Sequence, residues 1–369
     1  MNNWKKVKLS DIIEFNPRET LSKGAIAKKI AMEKLEPFTR DIPEFEYLEF
    51  RGGTKFRNGD TLMARITPSL ENGKTSKVNL LDEDEVGFGS TEFIVVRAKE
   101  NISDENFVYY LMIAPNIREV AIKSMVGTSG RQRVQLDVVK NHKILCPPLK
   151  EQIRIGKILK ALDDKIENNR KINHHLEEMA TSIFENMFPN VSSGKSTIGN
   201  YIIPKRGKNL LSKDAIVGKV PVVAGGLQPS TFHNIANTKS PVLTISASGA
   251  NAGYVNLWHI PVWSSDSSYI DTSITDNVYF WYVMLKKRQQ EIYDSQTGSA
   301  QPHIYPKHIE IMPTIDLSED KVSRFTKQVT PLFESIGNNI KEIGELQTLR
   351  DTLLPKLLSG EISVNQASK

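Results

Sequence analysis

Two long stretches of this chain place apolar residues at alternating steps of three and four. The first runs Leu159, Leu162, Ile166, Asn169, Asn173, Leu176, Ala180, Ile183. The second runs Val329, Leu332, Ile336, Asn339, Ile343, Leu346, Arg350, Leu353. That spacing is the seam of a coiled coil, so each stretch predicts a long helix, and the two helices are expected to pack on each other. Asn169 and Asn339 put a polar residue at the same seam position in both helices, a device that fixes register at some cost in stability. Pro147-Pro148 precede the first helix, Pro189 closes it, and Ser359-Gly360 close the second. Pro331 lies inside the second pattern and predicts a kink there, or a regular helix delayed to Leu332.

Outside these stretches the pattern changes to short β-branched and aromatic runs, 92–97, 242–246 and 254–261 among them, punctuated by Gly, Pro and Asn. That is strand texture. Residues 106–112 and 277–285 are aromatic-rich and fit helix or strand, and each leads into a charged, helix-like tract at 117–123 and 286–291. The same order recurs because the chain is duplicated. Ile166-Glu-Asn168-Asn169-Arg-Lys171 returns 170 residues later as Ile336-Gly-Asn338-Asn339-Ile-Lys341, and the shift carries Gly127-Thr-Ser129-Gly130-Arg131-Gln132-Arg133-Val134 onto Thr297-Gly-Ser299-Ala300-Gln301-Pro-His303-Ile304. Further back, Asp60-Thr-Leu62-Met-Ala-Arg65 parallels Pro241-Val-Leu243-Thr-Ile-Ser246. The expected fold is α+β: two globular mixed lobes, residues 1–148 and 189–316, separated by long helices at 149–188 and 317–369. The helices pack as a coiled coil, with a pseudo-two-fold internal repeat.

Composition narrows the chemistry. The 369 residues are enough for two or three domains, and 48 Lys and Arg against 43 Asp and Glu leave a net charge of +5, which permits a polyanionic partner. Cys146, the one cysteine, fits a reducing compartment, with the cytoplasm as the default. The longest apolar stretch, 278–285, is far too short to span a bilayer, so no membrane role is expected. Gly194-Lys195-Ser196-Thr197 resembles the end of a phosphate loop, but position 189 holds proline where that motif needs glycine, and a helix precedes it where a strand is required. Histidines are scattered, with His174 and His175 expected on different helix faces, so no metal site is expected. The acidic pairs Asp163-Asp164 and Glu177-Glu178 read as solvated helix surface. No catalytic constellation emerges.

Charge distribution says more than its total. Residues 117–143 hold six basic and two acidic side chains, and 195–219 hold six and one, so each lobe carries a basic tract interleaved with Ser, Thr, Asn, Gln and Gly. Those residue types contact phosphates and base edges, although a solvated surface would look similar.

Several motifs resemble a known family, the DNA-specificity subunits of type I restriction-modification systems. They are the opening Trp4-Lys-Lys-Val-Lys-Leu-Ser-Asp11, then Gly59-Asp60-Thr-Leu62, Gly127-Thr-Ser-Gly-Arg131, Pro147-Pro-Leu-Lys-Glu-Gln152, and the closing Leu349-Arg-Asp-Thr-Leu-Leu-Pro355-Lys-Leu-Leu-Ser-Gly360. The second lobe departs from the pattern, with Pro241 in place of Asp60 and Ile311-Met-Pro313 in place of Cys146-Pro-Pro. The resemblance implies a non-catalytic subunit whose lobes each bind half of a bipartite double-stranded DNA site and are held apart by the two helices packed as an antiparallel coiled coil. It implies docking of two methyltransferase subunits and of restriction subunits. S-adenosylmethionine would then belong to the methyltransferase, ATP and magnesium to the restriction subunit, and no cofactor or metal to this chain. Candidate DNA contacts are Lys55, Arg57, Arg65, Arg131, Gln132 and Arg133 in the first lobe, and Lys205, Arg206, Ser246, Asn251, Gln301 and His303 in the second. A salt-bridged loop explains Arg131 and Arg133 as well as a DNA contact does. A duplicated scaffold for protein partners is the alternative from another class, and a nucleotide-dependent enzyme a third.

Overall fold

The computed structural model describes residues 3–128, 130–298 and 301–367, so Ser129, Ser299 and Ala300 of the paired loops lie outside the described residues. The chain groups into two compact units, Met1–Asn168 with Glu342–Lys369, and Asn169–Lys341. Each long helix therefore gives one half to each unit, where the sequence pattern set the helices apart as segments of their own.

In the first unit β1 (Lys5–Lys8) leads into α1 (Leu9–Ile12), β2 (Ile13–Phe15), β3 (Ile26–Ile30), β4 (Glu46–Glu49), β5 (Thr54–Phe56), β6 (Thr61–Ala64), β7 (Thr75–Lys77), β8 (Gly87–Gly89) and β9 (Phe93–Ala98). The helices α2 (Glu105–Ile113), α3 (Pro115–Lys123) and α4 (Leu136–Asn141) follow, then β10 (Lys143–Cys146) and the long α5 (Leu149–Met187). One sheet has the order β2-β9-β6-β7, all antiparallel; a second has the order β4-β3-β8-β5 with β3 and β8 parallel; β1 pairs with β10. The aromatic run at 106–112 is helix because Asp104 caps it, accepting the amides of Asn106 and Phe107 at 3.1 and 2.9 Å, and because six consecutive residues are buried. A helix apolar all round belongs inside a core. That core also takes Ile155 and Leu159 from α5. The family-like residues at the helix entrance do structural work: the Gln152 side chain donates to the carbonyls of Pro147 and Ile102 and accepts from the Asp104 amide.

The second unit repeats this plan. It contains β11 (Ser196–Thr197), β12 (Lys205–Arg206), β13 (Val220–Val223), β14 (Thr231–His233), β15 (Val242–Ser246), β16 (Val255–Trp258), β17 (Trp263–Ser264) and β18 (Ser267–Asp271). Next come α6 (Val278–Lys287), α7 (Gln289–Asp294), α8 (Pro306–Glu310), β19 (Pro313–Thr314) and the long α9 (Glu319–Ser359). The sheet order β12-β18-β15-β16 matches β2-β9-β6-β7, the parallel β13–β17 pair matches β3–β8, and β11–β19 matches β1–β10. Hydrogen bonds correct the register read from sequence. Arg65 donates its amide to the Glu92 carbonyl at 2.9 Å, and the equivalent bond runs from Ala247 to Asp266 at 3.1 Å, so Arg65 aligns with Ala247 and not with Ser246. The Gly194-Lys195-Ser196-Thr197 stretch enters β11 and pairs with β19, and a side chain at Gly194 would collide with the Thr314 carbonyl.

Within each unit the halves of α5 and α9 run antiparallel. In the first, Asp163 meets Arg350 at 2.7 Å and Lys165 meets Glu342 at 3.4 Å; in the second, the Asn339 amide donates to Asn173 at 2.8 Å. Asn169 is buried, and Asn339 bonds Asn173, which stands one helical turn further along α5. Among the seam residues Leu159, Ile166 and Ile336 are buried, while Leu162, Leu176, Ile183, Leu332, Ile343, Leu346 and Leu353 are half-buried. Phe184, Phe333 and Leu354 take the interior beside Ile183, Leu332 and Leu353. A turn of 3.6 residues brings i+3 and i+4 to the same face, and here the i+4 residue packs deeper. Pro331 does not delay the helix, which runs on from Glu319 to Ser359. Its ring is exposed, and burial of Val329 and Phe333 on the opposite face holds the helix through the missing amide bond. His174 and His175, expected on different faces, both reach Glu178, at 3.4 and 3.1 Å.

Burial pushes the Cys146 thiol up to about 11, in a core with Gln152 donating to Sγ at 3.4 Å. Iodoacetamide at pH 8 is expected to alkylate the native protein roughly a hundredfold more slowly than the urea-unfolded chain. Equal rates, followed by mass spectrometry, would contradict this burial.

Candidate nucleic-acid interface

In the first unit the end of β6 and the segment after α3 meet in a small ribbon. Val126 and Arg133 exchange two backbone bonds, at 3.0 and 2.9 Å; on the other side Thr67 donates to the Gln132 carbonyl at 3.0 Å and Val134 to the Arg65 carbonyl at 2.9 Å. Gly127 permits the close turn, because a Cβ there would stand 2.8 Å from the Arg131 carbonyl at a φ of +145°. This ribbon gathers Arg65, Arg131, Gln132 and Arg133. Glu92 sits at its root and accepts from Arg133 at 3.0 and 2.6 Å, with the Arg65 Nε 4.0 Å away. The Arg133 guanidinium beside Glu92 holds its carboxyl below the usual range. One carboxylate thus serves two arginines, while Arg131 stands exposed at the tip with no ion partner among the described residues.

Lys55 and Arg57 are not part of this group. Lys55 donates to the Glu19 carbonyl at 2.9 Å and lies 5.4 Å from the Phe50 ring centre, and Arg57 pairs with the buried Glu19 carboxylate at 2.7 Å, which also holds Arg97 at 2.6 Å. Burial raises the Glu19 carboxyl, but Arg97 and Arg57 outweigh it and keep the group below its usual range. The Glu19 carboxylate is enclosed and braces the lobe, while the Arg57 side chain that pairs with it stays 53% exposed.

The second unit builds the same ribbon with other side chains. Thr297 and His303 exchange backbone bonds at 3.1 and 2.8 Å, Gly249 donates to the Pro302 carbonyl at 3.1 Å, and Ile304 to the Ala247 carbonyl at 2.9 Å. His303 replaces Arg133 and stacks on Tyr305, with ring centres 5.9 Å apart. Asp266 replaces Glu92 at the root, bonding Ser248 and pairing with Arg206 at 2.6 Å. Gln301 and Lys205 are exposed and Asn251 is half-buried. Ser246 is only 4 % exposed, and its hydroxyl, one of the buried polar atoms without a partner, is inaccessible to DNA in this conformation. Sequence reasoning missed Glu92 and Asp266, which it had no reason to separate from solvated acids. Their signal was positional, since both stand just before equivalent strands of the two repeats.

Among the described residues no cluster of His, Cys, Asp and Glu could hold a metal, and no helix is long and apolar enough to cross a membrane. Residues 1–178 match the family described as the type I restriction modification DNA specificity domain. That first part of the chain is a type I DNA-specificity domain. The chain is 26% identical over 309 residues to the type I restriction enzyme MjaIX specificity subunit of Methanocaldococcus jannaschii, covering 73% of this chain and 71% of that one. A type I specificity subunit of Mycoplasma pneumoniae is 24% identical over 384 residues, covering 96% of both. The crystal structure of the type I restriction-modification S subunit from M. genitalium shares the fold, with a TM-score of 0.60 at 20% identity over 96% of each chain. The match gives the first ribbon its context, since the matched part of the chain includes all of it.

Proposed function

We propose that this protein reads a bipartite DNA site, one half-site per lobe, and docks methyltransferase and restriction subunits that carry out the chemistry. The recurrence of one hydrogen-bonded ribbon in both lobes, tipped by Arg131, Gln132 and Arg133 in one and by Gln301, Pro302 and His303 in the other, is the observation that carries the reading. A constant backbone frame with variable tips suits two lobes that read different sequences, because arginine pairs with guanine and glutamine with adenine in the major groove. Lys205 and the other exposed cations would set position on phosphates. Two methyltransferase subunits bringing S-adenosylmethionine, and restriction subunits bringing ATP and magnesium, complete the assembly in the cytoplasm, with this chain contributing no cofactor.

Exchanging residues 189–316 for the corresponding lobe of a relative tests it. Methylation mapping of the complex with its methyltransferase partner is expected to show one half-site replaced and the other kept. A change in both half-sites, or in neither, would sink the one-lobe, one-half-site reading.

A further inference from the structure

The first unit closes the outer edge of its four-stranded sheet with a piece of its own chain. β7 is the edge strand, and residues 38–41 run beside it. Phe38 donates its amide to Gly73 at 3.0 Å, Lys77 donates to the Arg40 carbonyl at 2.8 Å, and the Ser76 hydroxyl donates to the Thr39 carbonyl at 2.8 Å. Arg40 then bridges to α5, bonding Asp164 at 2.8 Å and the Lys160 carbonyl at 3.3 Å. Strand, segment and helix form one packed layer, and Arg40 is left 8 % exposed.

The second unit has the same edge and the same helix, but among the described residues no segment makes backbone bonds along that edge as residues 38–41 do along β7. Alignment of Arg65 with Ala247 puts β16 in the place of β7 and Leu257 in the place of Lys77, and the 170-residue repeat puts Glu334 of α9 in the place of Asp164. The connection that supplies the segment in the first unit spans residues 31–45, whereas its counterpart is the short stretch 224–230. A groove of about 920 Å³ is left along β16, lined by Leu257, Trp258, Tyr279, Glu334 and Ile340 among others. His259 and Gly337 narrow it where strand and helix meet, since a Cβ on Gly337 would stand 2.9 Å from the imidazole. The Leu257 amide, at the position from which Lys77 bonds Arg40, is taken by the Asn256 side chain of the same strand at 3.0 Å. Glu334 is exposed and has no ion partner among the described residues.

We propose that this groove seats an extended segment of a partner protein bearing an arginine, which pairs with Glu334 as Arg40 pairs with Asp164. The occupant's chemistry follows from the repeat: an edge strand offers backbone bonds to an extended chain, Trp258 and Ile340 offer apolar contact, and Glu334, which shares the lining with Lys341, offers a carboxylate where the first unit offers Asp164 to Arg40. Asn256 would release the Leu257 amide by a rotation about its own side-chain bonds. The proposal does not depend on DNA recognition.

The probe is a fluorescein-labelled peptide of residues 36–43, titrated into the full-length protein at low ionic strength and followed by fluorescence polarisation. Saturable one-to-one binding is expected, with slowed amide exchange over 255–260. Glu334→Lys in the protein, or Arg40→Glu in the peptide, should each weaken binding about tenfold, and combining the two should recover most of the loss. Glu334→Gln, on an exposed helix position, controls for any effect of reversed charge on folding and should also weaken binding. Absence of saturable binding, or equal affinity across all the variants, would overturn the proposal, as would protection of a different surface.

Discussion

Asp163→Ala is expected to lower stability by about 3–5 kcal/mol, a large share of what holds a typical domain together. Asp163 and Arg350 are 4 % and 5 % exposed at their side chains and meet at 2.7 Å, and the Tyr110 hydroxyl donates to the other Asp163 oxygen at 2.7 Å. Removing the carboxylate leaves a guanidinium in the core with Asp351, itself mostly exposed, as its remaining carboxylate, and leaves the phenol with no acceptor. In the native protein burial and the neighbouring Asp163 push the Tyr110 hydroxyl far above its usual range, so it stays uncharged and donates to the carboxylate. Replacing both charges, as Asp163→Leu with Arg350→Met, should cost far less than the single change, because a well-packed apolar pair avoids the desolvation that the ion pair must overcome. Urea unfolding followed by circular dichroism reads both variants. A single-variant loss under about 1 kcal/mol would show that water reaches this pair.

Phe184→Ala should cost a similar amount, about 3–5 kcal/mol, for a different reason. Phe184 lies fully buried among Phe188, Phe280 and Phe325, with ring centres 5.3, 5.7 and 5.6 Å away, so truncation opens a cavity walled by aromatic rings that are fixed by one another. The neighbouring Ile183→Ala is the decisive comparison. Ile183 is half-buried, and its loss should cost roughly 1–2 kcal/mol, near the lower end for a large-to-small change. If Ile183→Ala were the more damaging of the two, the alternating three-four seam would be the better account of the interior.

These two sites also show what a linear reading can reach. The helices were legible because apolar periodicity is local, and the duplication was legible because it repeats 170 residues on, from Ile166 to Ile336. Asp163 was not, since an acid on a helix is ordinarily solvated and its partner stands 187 residues away. Arg350 did fall in the seam pattern, and a charge at a seam position was the available hint that an opposite charge must be buried against it. At the candidate interface, the recurrence of the 127–134 loop at 297–304 located both ribbons. Which acidic residue each cation meets was decided by strand pairing at long range, which brings Lys55 and Arg57 to Glu19 and brings Arg65 and Arg133 to Glu92. Lys55 and Arg57 share the composition of a DNA contact with Arg131, and only the fold distinguishes them.

The division of the two long helices has a consequence for synthesis on the ribosome. The second unit, Asn169–Lys341, is one uninterrupted piece of chain, whereas the first needs residues at both ends of the protein. Leu354 and Leu357 belong to the core built by α2 and the start of α5, and Arg350 neutralises Asp163. When Asn168 is made, Arg350 and Leu357 are still 182 and 189 codons away, a delay of roughly 10–40 s at 5–20 residues per second. During that interval the nascent first lobe exposes an apolar face of α5 and an unpaired Asp163. The part of the chain made first is thus the last to finish folding, and a message truncated before Arg350 would yield an intact second unit joined to an open first one.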